Sequence, residues 1–143
     1  MPLRGRLPER EDAGEKMGIL SVIVAAAAAW IFGAAWYMVL GQRWSEAQGL
    51  DDDALRERGA APYVISFFLL VLTAGMIRHV LITSGVGTVG GAFVAGLGLG
   101  AFVAAPWVAM GIVYTGRPVS LLWIDGLYPV IGCGIIGAVL SFM

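Results

Sequence analysis

A chain of 143 residues with 59% hydrophobic and 13% charged side chains departs from a soluble domain, which typically has about 45–50% apolar and about 25% charged residues. Its formal net charge of −1, without a basic stripe, argues against a nucleic-acid partner. The composition instead indicates an integral membrane protein whose main partner is the lipid bilayer.

The first sixteen residues mix both signs of charge with almost no apolar side chains. Because such a segment cannot bury a core, we expect residues 1–16 to form a disordered tail and residues 17–143 to form one membrane domain. Met17 directly precedes the first apolar segment and is an alternative start. A peptide covering Leu7–Lys16 in the native protein would exclude that start.

Four long apolar segments follow, and each reaches the about 20 residues that a helix needs to cross about 30 Å of hydrocarbon. They run over Gly18–Leu40, Pro62–Ile82, Val89–Val113 and Leu121–Met143. The first exceeds the roughly 7–15 apolar residues of a cleaved signal peptide, so it is expected to stay. The predicted fold is all-α, an integral membrane four-helix bundle of four transmembrane helices running up-down-up-down.

One long and two short connections join these segments. The loop Gly41–Ala61 contains DDDALRER, which indicates either a short interfacial helix with acidic residues at its start or a solvated connector. Its acidic triplet lacks the ligand spacing of a calcium loop. The short connections TSGVGT and TGRPVS favour antiparallel neighbours, and Gly116 in the second is suited to ending a helix.

Positive charges predict the orientation, because short cytoplasmic loops are rich in Lys and Arg. Loops one and three carry four arginines, and the opposite side carries Arg78 plus the four basic residues of the tail. For the full chain the two sides carry nearly equal numbers of positive charges. With a start at Met17, one positive charge remains on the side of the termini against four on the side of loops one and three. We therefore expect a multi-pass membrane protein with both termini outside.

Small residues recur at four-residue spacing in three of the segments, and such spacing lets helices approach closely in lipid. They are Ala25, Ala29 and Gly33 in the first, Gly87, Gly91, Gly96, Gly100 and Ala104 around the third, and Gly134, Gly137, Ala138 and Ser141 in the fourth. The pattern serves either packing within the chain or contacts between copies. Pro106 in the third segment removes a helical hydrogen bond and predicts a kink.

Polar and aromatic side chains gather on the membrane face of the first and third loops, where aromatic rings settle at headgroup level. Those selected as the candidate functional cluster are Trp36, Tyr37, Arg117, Asp125 and Tyr128. An ionised carboxylate in hydrocarbon is costly, so Asp125 should face the bundle and meet Arg117, Tyr37 or backbone donors. Its role is that of a helix-start aspartate held by neighbours or of a substrate or proton site.

The residues provide no catalytic set, and we expect no enzyme. His79 lies about 24 Å from the first-loop side by helical rise and Asp125 about 7 Å, so the two cannot form one acid–base pair. Cys133 is the single cysteine and is expected to pack as a small apolar residue. No disulfide, metal site or cofactor is therefore expected.

Two blocks of sequence are specific when taken together. They are AAAAAWIFGAAWYMVLGQRW and GRPVSLLWIDGLYPVIGCGIIGAVL. Over about Gly18 to Met143 the chain resembles a family of small bacterial membrane proteins catalogued as domain of unknown function 1761. The positions that match its pattern are Gly33, Trp36, Tyr37, Trp44, Arg117, Asp125, Gly126 and Tyr128. The resemblance implies a four-helix, multi-pass protein of the bacterial inner membrane without an assigned activity. The extended N-terminus departs from the family pattern.

The expected function is non-enzymatic helix association, as a homo-oligomer or as an accessory subunit of a membrane protein partner. Two observations motivate this expectation: the sequence has no catalytic motif, and small residues form several helix faces that allow close packing. The alternative is a small transporter or channel for a proton or small solute, with Asp125 at its entrance. A third interpretation, an enzyme acting on a lipid-soluble substrate, rests only on the aromatic residues near Asp125.

Overall fold

The computed structural model describes the backbone of residues 7–143 and the side chains from residue 18 onward. These residues are helical apart from short connections, and no β-strand occurs among them. The helices are α1 (Leu7–Gln48), α2 (Asp52–Glu57), α3 (Ala61–Thr83), α4 (Val89–Leu99), a π-helical turn (Gly100–Ala104), α5 (Ala105–Tyr114) and α6 (Ser120–Phe142). The predicted all-α class is confirmed.

Four stretches are long and apolar enough to cross a membrane: Gly18–Gln48, Ala61–Thr83, Val89–Tyr114 and Ser120–Phe142. Three match the predicted segments closely, whereas the first runs eight residues further than expected, through Gln48. Gly49 ends it with φ 66°, and the N–H of Leu50 donates to the carbonyl of Ser45. Gly116 ends α5 in the same way, as predicted, since glycine adopts this left-handed conformation without strain.

The N-terminal tail is the segment for which disorder is predicted. Residues 1–6 lie outside the described part of the chain, and from Leu7 the helix α1 runs without interruption into the first span. The disorder of the tail and the domain boundary after residue 16 stay predictions. Once the apolar span has formed a helix, each further residue adds one bond without a new nucleation step, and Glu, Arg, Lys and Ala are good helix formers.

The segment DDDALRER contains the short helix α2. The Asp51 carboxylate caps it by accepting from the N–H of Ala54 at 2.8 Å. Asp52 and Asp53 lie in its first turn and Arg56 in its last, an order that complements the helix dipole. No residue of α2 is buried, so the connector is both helical and solvent-exposed.

Helix α6 contacts every other long helix of the chain. Its contacts with α4 pass through glycine: a methyl group on Gly96 would collide with the carbonyl of Cys133, and one on Gly137 with the carbonyl of Ala92. In α1, Ala25 and Ala29 are fully buried within the chain. These small-residue faces therefore serve internal packing, and the choice left open by the sequence is answered for them.

The irregularity expected at Pro106 is a π-helical turn placed directly before it. The N–H of Ala105, the residue before Pro106, donates to the carbonyl of Gly100, five residues back. Pro106 itself has no N–H to donate. A second proline, Pro129, lies inside α6, and a Cβ on Gly100 would approach its carbonyl oxygen to 2.5 Å. Two irregular helical segments therefore contact each other, while the kink angle at Pro106 stays a prediction.

Candidate functional site

Asp125 lies in the second turn of α6 and is partly buried against α1. Its Oδ1 accepts hydrogen bonds from the Tyr37 hydroxyl at 2.9 Å and from the Trp44 indole N–H at 3.0 Å. The predicted contact with Tyr37 is present. Hydrogen bonds to an ionised acceptor are about twice as strong as neutral ones, so this carboxylate fastens α1 to α6.

Trp44 is a partner that the sequence interpretation missed. Trp44 was expected in a loop, but α1 continues through Gln48. Trp44 is therefore a helical residue of α1. Tyr37 and Trp44 are seven residues apart, which is close to two helical turns, so both side chains point toward α6. That seven-residue spacing was the signal available in the sequence.

Arg117 does not contact Asp125, so of the alternative partners expected for this carboxylate the structure uses Tyr37 and not Arg117. The backbone N–H of Arg117 donates to the carbonyl of Ile112 in the glycine turn that ends α5. Its side-chain Nε donates to the Thr115 hydroxyl at 3.0 Å. The Arg117 side chain therefore contacts the α5–α6 connection to which it belongs. The structure records no ion pair for Asp125 among the described residues.

Tyr128 packs next to Asp125, one helical turn further along α6. Its ring stacks on Phe32, with centroids 6.1 Å apart and planes at 12°, and meets the ring of Tyr37 edge-on at 5.5 Å. Gly33 makes room for it, because a Cβ there would lie 2.8 Å from the tyrosine ring. A larger residue at position 33 would therefore force the ring of Tyr128 to shift.

Trp36 binds the backbone of α6 beside the carboxylate. Its indole N–H donates to the carbonyl of Ile124 at 2.9 Å, and its ring lies 5.7 Å from that of Phe32. The predicted cluster thus comes together except for Arg117. The sequence G-x-x-W-Y gains a physical meaning, since its glycine, tryptophan and tyrosine each contact one turn of α6.

An open groove of about 580 Å³ runs beside the cluster, between the end of α1 and the start of α6. Trp36, Leu40, Trp123 and Leu127 form apolar walls, while Arg43 and Glu46 carry charge at one end. Asp125 is not among the groove's lining residues, but Trp36 is, so the groove and the cluster share this one side chain.

Metal-ligating side chains do not converge in the part of the chain described: no group of three or more His, Cys, Asp or Glu residues could hold an ion. Cys133 is buried where α6 meets α4, and His79 is exposed near the end of α3. What the site itself can do is hold two helices in register through a carboxylate, two indoles and stacked aromatic rings.

The family model described as protein of unknown function (DUF1761) matches residues 20–141. This match covers both helices that build the site and agrees with the resemblance carried by the two sequence blocks. No curated protein and no solved structure matches the chain.

Proposed function

This chain belongs to the family of proteins of unknown function DUF1761, and we propose that it is a non-enzymatic membrane protein that acts by helix association. We propose that it lies in a bacterial inner membrane as a multi-pass bundle whose four helices run up-down-up-down. The order of contacts supports this arrangement, since Gly33 meets Tyr128 whereas Trp44, further along α1, meets Asp125. It acts with a second copy or as the subunit of another membrane protein.

The outer face of the α4–α5 span carries this proposal. Gly90, Val94, Gly98 and Phe102 recur there at four-residue spacing. Val94 is 65% and Phe102 84% exposed, and a Cβ on Gly90 or Gly98 would meet nothing within 4 Å. Helices in lipid associate through small residues that allow close approach, so this face is suited to receive another helix.

The Asp125 cluster supports the non-enzymatic part of the proposal. The described donors that reach its carboxylate, Tyr37 and Trp44, belong to the neighbouring helix. Both recorded hydrogen bonds of this carboxylate therefore connect α6 to α1, which is what a structural contact between helices requires.

The test is the oligomeric state of the full chain in lipid nanodiscs or vesicles. Gly98→Leu places a bulky side chain on the outer face and should convert an oligomer into monomers in single-molecule photobleaching. Gly75→Leu is the matched control, because Gly75 in α3 also has open space around its Cβ position and lies outside that face. A parent protein that is strictly monomeric and has no co-purifying membrane partner would contradict the proposal.

Transport of a proton or small solute is the second candidate, and one observation favours it. The second carboxylate oxygen of Asp125 has no hydrogen-bond partner among the described side chains, which leaves it open to a proton or cation. Flux into liposomes that falls away in Asp125→Asn, with the fold intact, would support this candidate over association.

A further inference from the structure

The groove between α1 and α6 has apolar walls and two charged residues at one end. Trp36 is held in place by its bond to the carbonyl of Ile124, and Leu40 and Leu127 extend the apolar wall. Arg43 and Glu46 are exposed at the rim. The Glu46 Oε1 accepts a hydrogen bond from the Gln42 side-chain amide at 3.2 Å, and no ion pair is recorded for Arg43 or Glu46 among the described residues. Both formal charges therefore remain unneutralised and can pair with a charged ligand.

The position of these charges along α1 matches the layers of a bilayer. A helix crosses about 30 Å of hydrocarbon in about 20 residues, so a span beginning at Gly18 reaches the far boundary near Leu40. Arg43 lies about 4.5 Å and Glu46 about 9 Å beyond Leu40 along the axis. Since the headgroup layer is roughly 5–7 Å thick on each side, the backbone of Arg43 lies within it and that of Glu46 about 2 Å beyond it.

This order is complementary to one class of lipid headgroup. In a phospholipid the phosphate lies directly above the acyl chains, and an amine, where present, lies further out. Arg43 presents a fork of donors that suits phosphate, and Glu46, one turn higher, presents an acceptor for an ammonium group. The two residues share one face of the helix because they are three positions apart.

We propose that this groove binds one molecule of a glycerophospholipid whose headgroup carries both a phosphate and a primary amine. One acyl chain lies along Trp36, Leu40 and Leu127, the phosphate binds Arg43 and the amine binds Glu46. Trp123, which is 71% exposed, covers the groove from the α6 side at the depth that indole rings prefer. The inference rests on the groove alone and is independent of the proposed helix association.

Native mass spectrometry of the full chain tests it with three lipids of equal acyl composition, bearing ethanolamine, glycerol or choline headgroups. The parent should retain the ethanolamine lipid in preference to both others. Glu46→Gln should remove the preference over the glycerol lipid, because the amine loses its charged acceptor. Arg43→Gln should weaken all three lipids by about tenfold, the effect of losing one charge-assisted bond to phosphate.

Matched controls are Glu57→Gln and Arg58→Gln, which make the same changes of charge at exposed positions outside the groove. They should leave both the affinities and the headgroup preference unchanged, and unaltered melting temperatures would show that all four variants fold. Equal retention of the three lipids by the parent would overturn the proposal. A headgroup preference that survives Glu46→Gln would overturn it as well.

Discussion

Asp125 holds the start of α6 to the end of α1 through one carboxylate oxygen, which accepts from Tyr37 and Trp44. Leaving a donor such as the Tyr37 hydroxyl or the Trp44 indole without its acceptor costs about 1–3 kcal/mol of folding free energy when the donor is shielded from water. Gly33 also contributes to the contact between α1 and α6, because its lack of a side chain leaves the space that the ring of Tyr128 fills.

Replacing this carboxylate gives a prediction with two distinguishable outcomes. Asp125→Ala leaves the Tyr37 hydroxyl and the Trp44 indole unpaired and should lower the free energy of unfolding by about 1–3 kcal/mol. Asp125→Asn should cost less, because its amide oxygen still accepts. The measurement is thermal or denaturant unfolding in detergent, with Asp53→Ala on the exposed helix α2 as the control for removing a charge. Parent-like stability of Asp125→Ala would show that the hydrogen bonds from Tyr37 and Trp44 to Asp125 do not contribute to stability.

Helices α4 and α6 pack backbone against backbone, and glycine on both sides makes that contact. The carbonyl of Cys133 faces Gly96, and the carbonyl of Ala92 faces Gly137. Without a hydrophobic driving force between helices in lipid, dispersion contacts at such short separation stabilise the pair. The π-helical turn Gly100–Ala104 belongs to the same interface, since Gly100 packs on Pro129.

Two glycines of α6 test this packing on one helix. Gly137→Ala should destabilise the protein by about 1–3 kcal/mol, the usual cost of overpacking, because the added methyl meets the Ala92 carbonyl. Gly132→Ala meets nothing within 4 Å and should be neutral or stabilising, since alanine is favoured over glycine in a helix by about 1 kcal/mol. Equal unfolding midpoints for the two variants would contradict the proposed basis of the helix contact.

The whole molecule exposes large apolar side chains over most of its outer surface; examples are Leu72, Phe102 and Trp107, at 72%, 84% and 71%. Such a surface is costly in water and favourable in hydrocarbon. The Asp125 contacts, the groove and the exposed helix α2 lie at the end formed by the first and third connections. The orientation of the molecule in the membrane therefore decides which compartment the groove and Asp125 face.

Positive-inside counting from Met17 predicts that the first and third connections lie in the cytoplasm. A single cysteine introduced as Asp53→Cys in the exposed helix α2 should then resist an impermeant thiol reagent in intact cells and react after permeabilisation. The native Cys133 is buried and should stay unlabelled in both states. Labelling of the parent protein, which has only this cysteine, is the control. Labelling of Asp53→Cys in intact cells would reverse the orientation.

The sequence by itself determined the four apolar helices and several of their ends. A backbone inside hydrocarbon must satisfy its own hydrogen bonds, so a long apolar segment of this kind is read as a helix whatever its neighbours are. Gly116 ends α5 as predicted because a left-handed residue is a local requirement. Proximity of Tyr37 and Asp125 was also predictable, because a costly carboxylate near lipid requires a donor.

Only the tertiary structure decided which donors Asp125 uses and which small residues face another helix. Trp44 reaches the carboxylate because α1 continues past the end of its apolar segment, and Arg117 turns away because the backbone after Gly116 binds Ile112. Gly96 meets another helix and Gly98 does not, although both stand in the same glycine-rich run. Composition sets the environment of a helix, whereas partners are chosen by its rotation and register, which emerge only when all helices pack together.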